Sequence, residues 1–518
     1  MKLPRRVRTL LIFIVCATTS GFLLLHYWEL ARREGSLALQ QARFLDYLNG
    51  EFGRQDPTVF GGSLRAQRGP FKVTEALAAM NASLFDSHST DYNRTHLAEL
   101  GTRARSLLIA YTLLNEKPAL LKQMTKNEDS FIALRQHLHS TEEQITNLLY
   151  PWIAPKFKTI KDLQASFAKA QQHTGIVFTS GQWHFELCVH AIISLRETLR
   201  CTLPIEVHYA GPNDLTPDMI KVFNALDNVK TVDVWDHFAE EARHINGWAI
   251  KPFAILASRF RQVLFVDADA LFFQNPDTLL KYSSIFKETG SLFYADRTVG
   301  RTDASFFKSI NPHWTNYAST LRYMTHRTAF EMESGVVAID KSRTGPLHAL
   351  LLVCKLNSHV ERALVYKHVH GDKETFWFAW DMLRVPYRFS PTFGGAAGYM
   401  DNSTRICGGI FHTDESLRPL WFNGGVLKNK HATKEELFIN FTHVAYDMTG
   451  DDIRWEWETA ETPFCLDPRD RPQVIVQELS ADEKVFGDRY VQLYKDIKKD
   501  GWRRYFEARF DVRYKRDK

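Results

Sequence analysis

Glycine-rich phosphate loops are missing from this 518-residue sequence. It has neither a G-x-G-x-x-G nor a Walker loop, which disfavours dinucleotide dehydrogenases and P-loop enzymes. It has no C-x-x-C pair, so nothing suggests zinc. Internal repeats and low-complexity tracts are also absent. Charge of one sign is in short supply: a net +5 does not suggest nucleic-acid binding, though it is compatible with an anionic sugar nucleotide. What is abundant is apolar surface. A 44% hydrophobic content with 36 Phe, 18 Tyr and 12 Trp argues a folded protein with a large core and more than one domain.

One run is long enough to span a bilayer, and it lies at the N-terminus. Lys2, Arg5, Arg6 and Arg8 precede an uncharged stretch from Thr9 to Trp28, which as a helix would be about 30 Å long. The basic flank should stay cytoplasmic, placing the rest of the chain on the other side. The alternative is a cleaved signal peptide at Cys16 to Ser20, but apolar residues continue past that point to Leu25 and favour an anchor. Four glycosylation sequons, at Asn81, Asn93, Asn402 and Asn440, follow the run and agree with a secretory compartment. There Cys188, Cys201, Cys354, Cys407 and Cys465 would meet an oxidising environment, and their odd number leaves at least one thiol free. Cys188 and Cys201 flank one expected helix, about 20 Å apart, too far to bridge each other.

The chain is expected to divide as 1–9 cytoplasmic tail, 10–28 anchor, 29–95 stem, 96–170 helical subdomain, 171–450 catalytic domain and 451–518 C-terminal extension. From Gly175 strands and helices alternate: GIVFT, a helix Trp183 to Arg200, PIEVHYA, a helix Thr216 to Leu226, a strand Val229 to Val234, and a helix Trp248 to Arg261 feeding VLFVDAD. That order predicts an α/β fold with a mostly parallel sheet and helices on both faces. Further strands are expected at SLFYADR, SGVVAID, PYRFS and GGIFH, and a helix at Asp372 to Leu383. The basic end of the tail reads most simply as a solvated face.

Ligands of such sheets bind at the carboxyl ends of strands, where VLFV delivers Asp267 and Asp269. On an extended chain both carboxylates share a face, and apolar residues on either side sink them in hydrophobic surroundings. The pair would repel unless a cation or proton lay between them. Its oxygen-only character suits Mg²⁺ or Mn²⁺, which in turn suits a diphosphate. A D-x-D alone is more often an acidic turn; its place after a buried strand is what favours the metal.

WAIKPFAILASRFRQVLFVDADALFFQNPD, MESGVVAIDKS and HVHGDKETFWFAW together resemble the fungal α-1,3-mannosyltransferase family, and GIVFTSGQWHFELCVHAIISLR and PIEVHYAGPNDL are similar too. The resemblance covers about Thr174 to Tyr446. It implies a type II Golgi membrane enzyme with a GT-A catalytic domain, using GDP-mannose and Mn²⁺ to extend mannose chains on N- or O-glycans. It also leaves room for membership of a Golgi mannosyltransferase complex. Related members make α-1,2 branches, and DADALFF looks closer to the α-1,3 group.

On this reading Thr179, Lys251, Asp267 and Gly335 would bind the donor, and Asp267, Asp269 and His412 the metal. Glu333, His370, Lys373 and Trp377 or Trp380 would hold sugars. Each has a plainer alternative: Lys251 a surface lysine, Glu333 to Gly335 an ordinary loop, Asp372 a helix cap, His412 a structural histidine. Donor and product are both α-linked, so configuration is retained. Glu374 and Asp372 are the candidate nucleophiles for a double displacement, whereas front-face substitution needs none. The rival readings are a UDP-sugar transferase of the same fold, a silent Golgi subunit that binds glycan, and a metal-dependent hydrolase. The intact acidic pair argues against the silent subunit, and no water-activating base is identifiable for the hydrolase.

Overall fold

A computed structural model describes residues 94–512 except 124, 126, 154–155, 170–172, 239–242, 402–403, 432–435, 452–453, 460, 500 and 511. The expected anchor, the stem up to residue 93 and the sequons at Asn81, Asn93 and Asn402 lie outside the described residues; Asn440 is exposed. Among the described residues no helix is long and apolar enough to cross a membrane. The chain divides into two compact units, residues 1–89 with 117–137 and residues 90–116 with 138–518. The described part of the first is the helix Pro118–Gln123 and the start of the helix Glu128–Leu149. The second unit carries the sheets.

It opens with α1 (Arg94–Asn115), then β1 (Thr174–Thr179), α2 (Phe185–Ile193), β2 (Ile205–Tyr209), α3 (Pro217–Ala225), β3 (Val229–Asp233), α4 (Ile250–Ala257) and β4 (Gln262–Val266). These follow the expected alternation, with local differences. The helix expected from Trp183 is a 3-10 turn, then α2, then a π turn Ser194–Thr198. Thr216 caps α3 through its side chain, with Pro217 behind it. There follow β5 (Leu271–Phe272), β6 (Ser291–Ala295), β7 (Met332–Asp340), α5 (Thr344–Leu356) and α6 (Lys373–Leu383). The remainder is β8 (Phe393–Asp401), β9 (Arg405–Thr413), β10 (Pro419–Asn423), β11 (His443–Asp447), β12 (Arg454–Glu456), β13 (Cys465–Asp467), β14 (Val474–Glu478), α7 (Ala481–Lys499) and α8 (Gly501–Phe510).

The first sheet has the order β3-β2-β1-β4-β7-β6. Its first four strands are parallel and β7 runs antiparallel to both β4 and β6, so the sheet is mixed, with β7 the one strand reversed in an otherwise parallel set as expected. Helices cover both faces because the strands are apolar on both. Ile176, Phe178, Leu264 and Val266 join a core with α2, α3 and the C-terminal helices. The opposite face receives α4 and α6, where the Phe293 and Trp380 rings lie 5.1 Å apart. Helix α1 is tied to this unit through Arg105, whose Nε donates to the Met382 carbonyl at 2.8 Å.

An eight-stranded antiparallel sheet, formed by β5 and β8 to β14, was not expected from the sequence. PYRFS is not a strand; Phe389 makes only an isolated bridge to Phe293. Cys407 on β9 and Cys465 on β13 are register partners and form a disulfide, while Cys188, Cys201 and Cys354 are free and buried. The C-terminal stretch is no loose tail. Tyr490 and Phe506 are fully buried, and the Tyr490 hydroxyl donates to the Phe272 carbonyl at 2.6 Å.

Candidate functional site

Strand β4 stops at Val266, one residue before the acids. Asp267 and Asp269 therefore sit on a turn, not on extended chain, closed by Ala270 N–H donating to the Asp267 carbonyl at 3.0 Å. The turn is pinned from two sides: Asp267 N–H donates to the Gly335 carbonyl, and Gly425 N–H donates to the Asp269 carbonyl, both at 2.8 Å. The two side chains then take different partners. Asp267 Oδ2 accepts from Lys251 at 2.9 Å, and Asp269 Oδ2 accepts from Lys430. Lys251 occupies the first turn of α4 and is only 8% exposed, so it is a buried cation rather than a surface lysine. Its ammonium also donates to Ser334 Oγ at 3.3 Å and lies 3.9 Å from Asp372 Oδ1.

Of these groups, Lys251, Ser334, Asp372 and Lys430 line a cavity of about 380 Å³, while Asp267 and Asp269 stand behind Lys251 and Lys430 and do not line it themselves. Lys251, Glu333, His370, Asp372 and Lys373, all singled out in the sequence, line it. Glu333 Oε1 accepts from Gly335 N–H at 2.8 Å and from Asn423 Nδ2 at 3.0 Å. Lys373 Nζ donates to Asp296 Oδ2 at 2.7 Å. Asp372 does not cap α6 with its side chain; its carboxylate accepts from Ser334 Oγ–H at 3.4 Å instead. Burial withdraws water from these carboxyls, fully at Asp372 and in part at Asp267 and Glu333. Asp267 is pushed up to about 7 by burial, with Asp269 and Glu333 adding to the effect against Lys251. Asp372 and Glu333 are likewise raised, first by burial. Burial also opposes ionisation of Asp269, but the Lys430 ammonium holds it below the ordinary carboxylate range.

Several expected site residues are elsewhere. Trp377 and Trp380 are fully buried, and Trp377 packs on Phe307, Tyr323 and Phe378, so neither ring face is open to a sugar. Glu374 is also fully buried and faces away from the cavity. Its Oε1 accepts from Glu331 N–H at 2.9 Å and Met332 N–H at 3.3 Å, and its Oε2 from Trp377 Nε1–H. It anchors the start of β7 rather than offering a nucleophile. His412 is fully buried, stacked on Trp421 with ring centroids 4.3 Å apart, and is not among the lining residues. A side chain at Gly335 would meet Asn423, Glu333 and Trp421 within 3.0 Å, so this glycine admits protein neighbours, not a sugar. Thr179 ends β1, paired with His208, and does not line the cavity.

Sequence reasoning missed Trp248, Asp296, Arg297, Asn423, Lys428 and Lys430, which all line the cavity. The only signal for the lysines was the Asn-Gly-Gly turn before them, which returns the chain toward Asp269. Lys251, Lys373, Arg297, Lys428 and Lys430 line the cavity alongside the carboxylates Asp296, Glu333, Asp372 and Glu458, so the surround is of mixed charge and supplies cations that a diphosphate could meet.

Among the described residues no three His, Cys, Asp or Glu side chains converge on one point. The acidic turn offers a buried carboxylate, Asp269, and a half-buried one, Asp267, whose ionisation Asp269 opposes. That donor set fits a hard divalent ion that takes its remaining ligands from a bound diphosphate.

Residues 173–414 match the family described as "Mannosyltransferase putative". "Putative alpha-1,3-mannosyltransferase MNN14" of Candida albicans is 26% identical over 375 residues, which are 61% of this chain and 53% of that protein. The α-1,3-mannosyltransferase MNN1 of Saccharomyces cerevisiae is 24% identical over 327 residues, 51% of this chain and 42% of that one. The α-1,2-mannosyltransferase MNN24 of Candida albicans is 23% identical over 326 residues, 57% and 43% respectively. The chain thus spans about half the length of the curated relatives it matches. Among solved structures, the galactosyltransferase LgtC in complex with donor and acceptor sugar analogues is similar at 16% identity. That match covers 42% of this chain and 73% of that one, with a TM-score of 0.29.

Proposed function

We propose that this chain belongs to the fungal mannosyltransferase family, which residues 173–414 match, and that it transfers mannose from GDP-mannose to mannose hydroxyls of glycoprotein glycans. The observation that carries the reading is Lys251. It joins the turn of Asp267 to Asp372 and Ser334, so the three stretches of family-like sequence meet at one cavity. The fold on this reading is of the GT-A type.

Lys251, Lys428 and Lys430 would hold the donor diphosphate and balance the charge that develops on it as the glycosidic bond breaks. Asp267 and Asp269 would hold a divalent ion, Mn²⁺ by preference, which when bound supplies further charge neutralisation. Glu333, Asp372 and the Lys373–Asp296 pair would fix sugar hydroxyls, since their side chains are already held by protein partners. With Glu374 engaged elsewhere, front-face substitution with retention is favoured: a phosphate oxygen takes the acceptor's proton, and no carboxylate nucleophile is needed. Asp372 is the remaining alternative.

We assign α-1,3 linkage as the first reading and α-1,2 as the second, because relatives named for each linkage match over more than half of the chain. The location that goes with this activity is the Golgi membrane, single-pass type II, held by residues 10–28. The Cys407–Cys465 disulfide and the exposed Asn440 support a luminal catalytic part. The test is to incubate the full-length chain with GDP-mannose, Mn²⁺ and α-mannobiose and map the linkage of the product. Consumption of UDP-sugars in place of GDP-mannose would reject the donor assignment, and product formed without acceptor, as free mannose alone, would make it a hydrolase.

A further inference from the structure

Trp248 stands at the rim of the cavity, three residues before Lys251, and is 51% exposed although it lines the site. An exposed aromatic alone signals nothing, as Trp183 at 95% and Trp457 at 66% exposure show; Trp248 differs in that its exposed ring lines a polar cavity. Its position is fixed. The backbone of Gly371 is packed so closely that a Cβ there would lie 2.9 to 3.3 Å from three atoms of the indole, and Gly371 has φ +69°, a conformation that favours glycine. The His370 ring adjoins at a centroid distance of 4.8 Å, and Phe330 follows at 6.0 Å from His370. Lys373 Nζ lies 3.8 Å from the centre of the Phe330 ring while donating to Asp296. A row of three rings therefore runs along a set of polar groups already held by protein partners.

We propose that Trp248 is the platform for the mannose ring that accepts the transferred sugar. Its exposed half would pack against the apolar C–H face of the pyranose, with hydroxyls reaching Asp372, Lys373 and Glu333. The acceptor is the fitting occupant because the donor's diphosphate would lie by Lys251 and the acidic turn, where Lys251 and Asp269 are each 8% exposed against 51% for Trp248, whereas an acceptor glycan must project outward. Gly371 is a positioning residue, since any side chain there displaces the indole.

The proposal rests on the transferase reading, and the experiment separates the two. With the full-length chain, KM for α-mannobiose and for GDP-mannose is measured in wild type, Trp248→Ala, Trp248→Phe and Gly371→Ala. Trp248→Ala and Gly371→Ala are expected to raise the acceptor KM about tenfold or more while leaving the donor KM within about twofold. Trp248→Phe, which keeps a ring and guards against a folding defect in the alanine variant, should recover part of the loss. Failure of the wild-type chain to consume GDP-mannose would sink the transferase reading. Consumption with an unchanged acceptor KM in Trp248→Ala, or with donor and acceptor KM rising together, would overturn the platform alone.

Discussion

The Lys251 ammonium lies 2.9 Å from the Asp267 carboxylate inside a region that water does not reach freely. A lone charge there would be costly, and the lysine remains protonated because Asp267 and then Asp372 outweigh the burial that opposes it. Lys251→Met therefore leaves the carboxylates of Asp267 and Asp372 without their cation. The expected result is a stability loss of about 3 kcal/mol and a transfer rate reduced at least about a hundredfold. Calorimetry and GDP release measure the two, and a variant with wild-type melting and turnover would remove Lys251 from the site.

Asp269→Ala should behave differently. Its partner Lys430 has a side chain 38% exposed and can turn to water once the carboxylate is gone. The substitution also relieves the repulsion on Asp267, so stability should change by less than about 1 kcal/mol. Transfer should nevertheless be abolished. Normal turnover in the folded variant, followed across a Mn²⁺ titration, would defeat the metal reading.

For Glu374 the expectation is structural. Glu374→Ala leaves Glu331 N–H, Met332 N–H and Trp377 Nε1–H buried without an acceptor. The cost should be about 3 kcal/mol, read as a lowered Tm. Turnover per folded molecule should stay within about threefold. Loss of turnover at an unchanged Tm would return Glu374 to the list of nucleophiles.

Glu361 gives a pH test away from the cavity. Burial alone would raise its pKa, but the His96 hydrogen bond, the Lys355 ammonium and Ser358 hold it at about 2. A folded-state pKa below the ordinary value means stability that is complete above about 4.5 and is lost as pH falls toward about 2, amounting to about 3 kcal/mol. The Tm gap between wild type and Glu361→Gln should therefore shrink across that window. A constant gap would show that Glu361 acts by packing alone.

The first sheet was legible because β1, β2 and β4 are short apolar runs separated by helices, α3 among them capped by Thr216, a pattern that periodicity reads well. The second sheet was not. Its strands β8 and β9 carry Gly395, Gly398 and Gly408, where a Cβ would meet a backbone oxygen of a neighbouring strand at 2.0 Å or less, and such glycines read as breaks rather than as close-packed strands. At the site, the sequence found the acids and Lys251 from their setting. It chose Trp377 over Trp248 because proximity to a polar cluster was the only guide. The better signal lay in α6 itself, which after Lys373 is buried on every side and so belongs to the core. His412 was placed at the metal by the resemblance alone, and nothing local in the sequence shows the stack with Trp421 that encloses it. Lys430 approaches Asp269 only through tertiary folding, and no local pattern could announce that.

The seat that α7 provides for Phe272 has a consequence for synthesis and inheritance. Tyr490 holds β5 through the Phe272 carbonyl and is itself held by His190, whose Nε2–H donates to the Tyr490 carbonyl at 2.8 Å. The residues that line the cavity all leave the ribosome before this clasp does. A nascent chain therefore carries every chemical group of the site while the strand beside its acidic turn is still unsecured. A stop codon between Asp467 and Tyr490 would spare each of those groups and remove the clasp, so a lesion far from the chemistry would act as a null allele through misfolding.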